Sequence, residues 1–357
     1  MATARPKLVY STTIMASFAR RDAALLAERY QVVSFVFSPR SKLLTPWVMI
    51  RQLLFLLRHM PGASVSVTQF GGFHSFFPVL LGRWMGVPAV VVLGGFDCAS
   101  FPSFRYGAHH RFPMGAITRW SLRRASLLVP CSANLVRSEQ SYSAGLRDPR
   151  AQGYKAFDPT NEAPLAIIPY GYDSERFKPA GARDPRSFLT VAQMNPSNFT
   201  RKGIDLVFAL AERLPDCRFT VVGNTPAMRY ARVPPNVQLI GFVPYEDLPG
   251  VYARHAYYLQ LSIWEGFPSA PCEAMLCGCV PIASAVAALP EIVGDAGYLV
   301  PVREIDPLER IVRLALTEGT ERLSVRARAR IQERYPVETR RAFLHAVERV
   351  ARGLAKG

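Results

Sequence analysis

Short apolar runs alternate with longer amphipathic stretches along almost the whole chain, and the two periods read as strands and helices in turn. Lys7 to Tyr10 predicts a first strand, Ala16 to Tyr30 a helix carrying Leu25, Leu26 and Ala27, and Gln31 to Phe37 a second strand. Trp47 to Met60 reads as a long apolar helix, Val65 to Phe70 as a strand, and Phe76 to Met85 as a helix closed by Gly86. Ala89 to Leu93 is apolar at every position. A strand with two apolar faces belongs in a parallel sheet covered by helices on both sides.

The chain loosens from Phe101 to Pro113, resumes as a helix from Ile117, and gives strand patterns at Leu127 to Pro130 and Ala166 to Pro169. Phe177 to Arg186, with its prolines, glycine and charges, reads as a linker. A second alternating series follows it. Strands are expected at Phe188 to Ala192, Arg218 to Val222, Val237 to Ile240, Tyr257 to Leu261 and Val280 to Ala283. The helices between them are Gly203 to Leu214, Tyr245 to Ala253 and Pro271 to Cys277, and Pro307 to Thr317, Glu321 to Tyr335 and Val337 to Ala355 end the chain. The expected fold is therefore α/β, with two doubly wound Rossmann-like domains facing across a cleft at the carboxyl ends of their strands. A length of 357 residues suits two cores better than one.

Composition sharpens this reading in three places. Cys272, Cys277 and Cys279 lack the paired spacing of a zinc site, so the six cysteines read as buried, reduced thiols. The stretch from Ser75 to Gly94 is too interrupted to span a membrane, and the first residues do not form a secretory leader. A cytoplasmic location follows as the expectation. The net charge of +16 is unevenly spread: Met1 to Arg147 holds seventeen Lys and Arg against four Asp and Glu. An anionic partner for the first half is implied.

The segment Glu265-Gly-Phe-Pro-Ser-Ala-Pro-Cys-Glu273-Ala-Met-Leu-Cys-Gly-Cys concentrates the candidate chemistry. It lies where a strand ends, a loop rich in Gly and Pro turns, and a helix is expected to start near Pro271, proline being favoured in the first helical turn. Backbone N–H groups there bind anions readily. Glu273, expected in the first turn, is placed to accept hydrogen bonds from a ribose diol, and Glu265 on the loop to face a sugar.

This segment resembles the signature of glycosyltransferase family 4, whose members are retaining enzymes of GT-B fold. Ile168-Pro-Tyr-Gly-Tyr-Asp-Ser-Glu-Arg-Phe is similar to the family's interdomain crossing, Arg201-Lys-Gly-Ile-Asp205 to its Lys-Gly-x-Asp turn, and Gly241-Phe-Val-Pro to its base-contacting segment. The resemblance is dense from Pro169 to Pro301 and thin before Ala89. It implies an acceptor-binding domain over 1–178, a nucleotide-sugar-binding domain over 179–335 and a final helix over 336–357 that can return to the first domain. It implies catalytic roles for Glu265 and Lys202. Donor contacts fall to Glu273, Arg201, Val243, Gly266, Phe267, Ser269, Ala270, Pro271 and Cys272. The donor would be a UDP- or GDP-sugar, and the acceptor a glycan or lipid-linked glycan in cell-surface polysaccharide or glycolipid synthesis. No metal, cofactor or nucleic acid is expected.

The chain departs from the family at two points. Val191-Ala-Gln193-Met stands where relatives often carry an arginine, leaving Arg201 as the substitute, and Gly94-Gly-Phe-Asp97 stands where they often carry a histidine. Asp97 is the charged side chain of that turn and is assigned a contact with donor sugar or acceptor. The basic and aromatic groups Arg51, Arg58, Arg119, Trp120, Arg123 and Arg124 suit an acceptor or anionic membrane surface, with peripheral attachment to its inner face. For the helix at Trp47 to Leu57, burial against the sheet is the competing reading. The rival functions are an epimerase-like or inactive GT-B relative, and a basic nucleic-acid-binding protein.

Overall fold

The computed structural model describes residues 5–143 and 148–353, so the predicted helix end at Ala355 lies outside the described residues. The first half builds a parallel sheet from β1 (Lys7–Thr12), β2 (Gln31–Val36), β3 (Ala63–Gln69), β4 (Ala89–Leu93) and β5 (Leu127–Pro130), in the order β2-β1-β3-β4-β5. Its side chains alternate between two cores. Leu8, Tyr10, Val65, Val67, Val90 and Val92 face one way, while Val9, Val91 and Leu93 face the other, as the period of a strand requires. A short antiparallel pair, β6 (Ser138–Glu139) and β7 (Ala151–Gln152), follows.

The second sheet contains β8 (Asp184–Val191), β9 (Arg218–Val222), β10 (Val237–Ile240), β11 (His255–Gln260), β12 (Val280–Ser284) and β13 (Tyr298–Val300). Its order, β10-β9-β8-β11-β12-β13, is parallel throughout and reverses between β8 and β11. The first sheet reverses between β1 and β3. Both reversals leave a crevice beyond the strand ends, where such sheets hold ligands.

Three expectations change. The segment from Ala166 to Pro169 hydrogen-bonds along the edge of β5 but forms no strand, the bridge there being Leu165 to Leu128, because Pro164 and Pro169 cannot donate to a ladder. The expected linker ends sooner, since β8 begins at Asp184. The loop before Arg201 is instead a helix, Pro196–Arg201, whose entry is capped by the Asn195 side chain accepting from the Asn198 N–H at 2.9 Å.

The chain crosses between domains twice, and the crossings touch where the Tyr172 N–H donates to the Tyr335 carbonyl at 2.9 Å. After the second crossing, helix Arg341–Ala351 packs Phe343, Leu344, Val347 and Val350 into the first domain's core beside Leu8 and Tyr10. A buried ion pair fixes this return. Arg340 donates to both Asp22 oxygens, at 2.8 and 2.7 Å, and to the Ile168 carbonyl at 2.8 Å, while Gln69 donates to Asp22 at 2.6 Å. Asp22→Ala, which strands the Arg340 charge, is expected to cost about 3 to 5 kcal/mol in urea unfolding. A loss below about 1 kcal/mol, the size of an exposed pair, would show that this tie does not hold the helix.

Candidate functional site

The loop between β11 and the next helix is gripped by the first domain. A Cβ on Gly266 would lie 1.8 Å from the Gly94 carbonyl oxygen, and one on Gly95 (φ +134°) would lie 3.1 Å from the Gly266 nitrogen. Only glycine permits this approach. Trp264 donates its indole N–H to the Gly95 carbonyl at 3.3 Å, and the Ser132 hydroxyl donates to the Gly266 carbonyl at 2.9 Å. A Cβ on Gly94 would meet the Phe70 ring at 1.8 Å, so that ring fills the space of the family's histidine.

Lys202 and Glu265 form an ion pair under this loop, and Gln260 donates to the same Glu265 oxygen at 3.0 Å. Arg201 stacks on Tyr106 of the first domain, with its guanidinium 4.4 Å from the ring centroid, and donates to the Asn198 side chain at 2.8 Å. Burial pushes the Glu265 carboxyl up, but the charges of Lys202 and Arg201 outweigh it and hold the acid below its ordinary range. Burial lowers Lys202, with Arg201 adding to the effect and Glu265 opposing it. Gly203 (φ +72°) makes the turn possible, since a Cβ there would strike the Leu261 carbonyl oxygen at 2.3 Å. The Asp205 that completes the turn pairs with Arg303 instead of facing the site.

Helix Ser269–Leu276 begins two residues before the expected Pro271, so Glu273 lies in its second turn and not its first. Its carboxylate is buried and accepts from the Tyr252 hydroxyl at 3.1 Å. Burial raises its pKa to about 7, opposed by the charge of Arg21 and by Tyr252. Arg21 comes from the first domain; one terminal nitrogen donates to the Gly171 carbonyl at 3.3 Å and the other is buried without a partner. A chain of contacts runs between the two glutamates, Tyr252 against Tyr258 at 6.0 Å, with Tyr258 hydrogen-bonded to Gln260 at 3.2 Å.

Ser269 receives the Tyr172 hydroxyl at 3.3 Å, and Phe267 stacks on the Tyr172 ring. Gly266, Pro271 and Cys272 are buried, whereas Ala270 and Val243 remain half-buried beside the core that spans both domains. Arg21, Tyr106, Tyr252 and Gln260 belong to no motif of the sequence, and Tyr172 lies in the interdomain crossing without any sign there of its bond to Ser269. For Arg21 the nearest signal was the arginine excess of the first half.

Asp97 corrects an expectation. It is 0% exposed and accepts from the backbone N–H groups of Gly71 at 2.9 Å, Gly94 at 3.1 Å and Gly95 at 2.9 Å. Its oxygens are occupied by amides that shape the glycine turn, so it positions the site and does not face a substrate. Burial raises its pKa against those three bonds. Arg123 is likewise engaged, by Asp158 and Thr160, and Trp120 lies between Phe76 and the Arg124 guanidinium. Arg119 is half-buried, whereas Arg51 and Arg58 are exposed on helix Thr45–His59. That helix buries Val48, Gln52 and Leu56 and leaves its other face open, so burial explains only half of its apolar residues. All six cysteines are unpaired and buried. Among the described residues no group of His, Cys, Asp and Glu clusters as metal ligands, and no helix is long and apolar enough to cross a membrane.

The family described as glycosyl transferases group 1 matches residues 172–332. O-antigen chain mannosyltransferase B of Escherichia coli is 35% identical over 27% of this chain and 25% of its own length. A phosphatidylinositol N-acetylglucosaminyltransferase polypeptide from Arabidopsis thaliana is 26% identical over 43% of this chain and 37% of its own. The chain thus spans a quarter to under two-fifths of these curated relatives. Sucrose-phosphate synthase from Thermosynechococcus elongatus superposes with a TM-score of 0.72 at 16% identity, covering 98% of this chain and 99% of that one. Anabaena HepE in complex with UDP gives 0.67 at 14%, with the same coverage. The fold is GT-B.

Two outcomes follow from the geometry alone. Gly266→Ala is expected to part the domains, read as a red shift and increased quenching of Trp264 fluorescence against a Trp264→Phe control; unchanged emission would place the contact elsewhere. Glu273 has a folded pKa of about 7, above its ordinary 4.5, so its neutral form favours the fold at low pH and that contribution is lost as pH rises through 7. Relative to Glu273→Gln, the melting temperature of the protein should therefore fall between about pH 5 and pH 8. A parallel pH profile for the two proteins would contradict this burial effect.

Proposed function

We propose that this chain, whose second domain is that of the group 1 glycosyl transferases, moves a sugar from a nucleoside diphosphate donor to an acceptor held by the first domain. The observation that carries the reading is the Lys202, Arg201 and Glu265 cluster beside the start of helix Ser269–Leu276, at the strand-order reversal of the second sheet. In that setting Lys202 and Arg201 neutralise the leaving diphosphate, a contribution that grows in a dry site. The orphaned nitrogen of Arg21 adds a donor from the opposite wall. Glu273 accepts from the ribose hydroxyls, and Glu265 faces the transferred sugar.

The chemistry we assign is that of family 4, retaining and without a metal. The leaving phosphate oxygen takes the acceptor hydroxyl's proton on the same face of the sugar as the new glycosidic bond forms. This accounts for a site without a second carboxylate base. UDP- and GDP-sugars are both compatible donors, and a glycan or lipid-linked glycan of surface polysaccharide or glycolipid synthesis is the acceptor class we favour. Peripheral attachment to the inner face of a membrane fits the exposed apolar face and arginines of helix Thr45–His59.

One specific observation favours a second reading. The Phe70 ring leaves no room for a side chain at position 94, as expected of a GT-B relative that binds a nucleotide sugar without transferring it. Measured transfer separates the two.

The test is binding and hydrolysis of a panel of UDP- and GDP-sugars. Lys202→Ala is expected to lose about 2 to 4 kcal/mol of transition-state stabilisation in kcat/KM, the cost of one removed oxyanion donor. Glu273→Ala should lose donor affinity. If no nucleotide sugar is bound, or both variants match the parent, the proposal fails.

A further inference from the structure

A cavity of about 1320 Å³ opens in the first domain, and none of the donor residues named above lines it. The chain segments that leave β1, β2 and β3 line it, through Thr13, residues 37–42 and residues 70–74. It therefore occupies the reversal point of the first sheet, the position at which an open α/β sheet receives a ligand. Arg40, Lys42, Arg105 and Arg111 converge on it, and no Asp or Glu lines it. None of these cations pairs with a carboxylate among the described residues. The Arg111 guanidinium instead lies 5.2 Å from the Phe96 ring centroid, and the buried Nδ1 of His110 beside it has no partner. Unbalanced charge of one sign around a concave site calls for an anion.

The rim of this cavity is apolar and exposed. Thr45, Pro46 and Met49 of its wall belong to the first turns of helix Thr45–His59, whose outer face carries Trp47, 59% exposed, Ile50, Leu54, 62% exposed, and Leu57. Their spacing of three and four residues places them in one stripe, flanked by Arg51 and Arg58. Phe112, also a cavity residue, is 93% exposed. A continuous apolar face of this kind marks an interaction surface. A soluble anion accounts for the cations but not for the stripe. A bare anionic bilayer accounts for the stripe and its arginines but not for a cavity with four further cations.

We infer that the cavity binds the phosphate of a membrane lipid, and that Trp47, Ile50, Leu54 and Leu57 lie in the bilayer interface while it does so. As an acceptor site this rests on the transferase reading, and it narrows the acceptor class to lipids that carry a phosphate group. Arg40 and Lys42 leave the membrane face to meet that phosphate, whereas Arg51 and Arg58 attract the surface at large.

Vesicle flotation at fixed salt tests the assignment with three lipid compositions: phosphatidylcholine alone, and phosphatidylcholine with either phosphatidylserine or phosphatidic acid at matched surface potential. The full chain is expected to bind phosphatidic acid vesicles, with their exposed phosphomonoester, several-fold more tightly than phosphatidylserine vesicles. The double variant Arg40→Ser, Lys42→Ser changes two exposed side chains and should lose that preference while keeping attraction to both. Trp47→Ser with Leu54→Ser should weaken binding to both at least about tenfold, the scale of burying two large apolar side chains. Equal binding to the two anionic vesicles, a preference retained without Arg40 and Lys42, or no binding to any vesicle overturns the inference. Nucleotide-sugar binding by the unaltered protein reports on the other reading separately. Donor binding without lipid preference overturns the cavity assignment alone, and lipid preference without donor binding overturns the transfer reading alone.

Discussion

Backbone contact between two glycine turns, one from each domain, is the constraint on which the site depends. Gly94 and Gly95 meet Gly266 at separations that leave no room for a Cβ, and the Trp264 indole and Ser132 hydroxyl close the contact with hydrogen bonds to backbone carbonyls. The first turn is itself held by Asp97, whose buried carboxylate gathers the N–H groups of Gly71, Gly94 and Gly95. A buried carboxylate is tolerable when several amides satisfy it. Asp97 therefore controls the position of Glu265 without approaching it, through two peptide turns and an indole.

Within that seam the two glutamates of the signature segment are driven apart in character by their surroundings. Glu265 has Lys202 and Arg201 beside it, so its ionised form is favoured despite burial. Glu273 has a tyrosine hydroxyl as its bonded partner and the charge of Arg21 acting without a hydrogen bond, so burial wins and its proton is held to about 7. Residues of the same type, eight positions apart in sequence, thus titrate on opposite sides of the ordinary carboxylate range. Such divided pairs are how a site assigns unlike roles to like groups. The unpartnered Arg21 nitrogen adds an unmet requirement for an acceptor, and it comes from the domain that carries most of the net positive charge.

Most of the architecture was legible in the sequence because the strands are short, mainly apolar runs between helical stretches: Ala89 to Leu93, Leu127 to Pro130, Arg218 to Val222 and Val237 to Ile240 have the predicted bounds. The legible part of the site was local, in the run from Glu265 to Glu273 and the turn at Lys202. What escaped was long-range. Arg21 acts on Glu273, and Tyr106 reaches Arg201, only after the domains have packed, and no periodicity encodes such distances. Asp97 misled for the same reason, since its glycine-rich setting suggested an open loop whereas packing turned the carboxylate inward. The start of helix Ser269–Leu276 was misplaced because Pro271 fits the first turn at more than one position, and Pro268 supplies the extended residue before it.

Donor access is then set by how the two domains are joined. Glu273 is 3% exposed, and Glu265 lies on a loop that the first domain covers, so both carboxylates are closed off in this arrangement of the domains. The bonds across the mouth include an indole N–H, a serine hydroxyl and the stacking of Arg201 on Tyr106, joined by the Arg303 N–H donating to the Tyr142 carbonyl at 2.8 Å and by an apolar core shared between the domains. Further connections lie elsewhere. The interdomain crossings touch at Tyr172 and Tyr335, and beyond them the Asp22–Arg340 pair anchors the returning helix in the first domain. An ion pair that deep resists rearrangement, because separating its members leaves charge in an apolar core. The buried ion pair therefore stands beyond the crossings, whereas neutral hydrogen bonds, apolar packing and one stacked guanidinium close the mouth, so the returning helix is tied to the first domain independently of the seam.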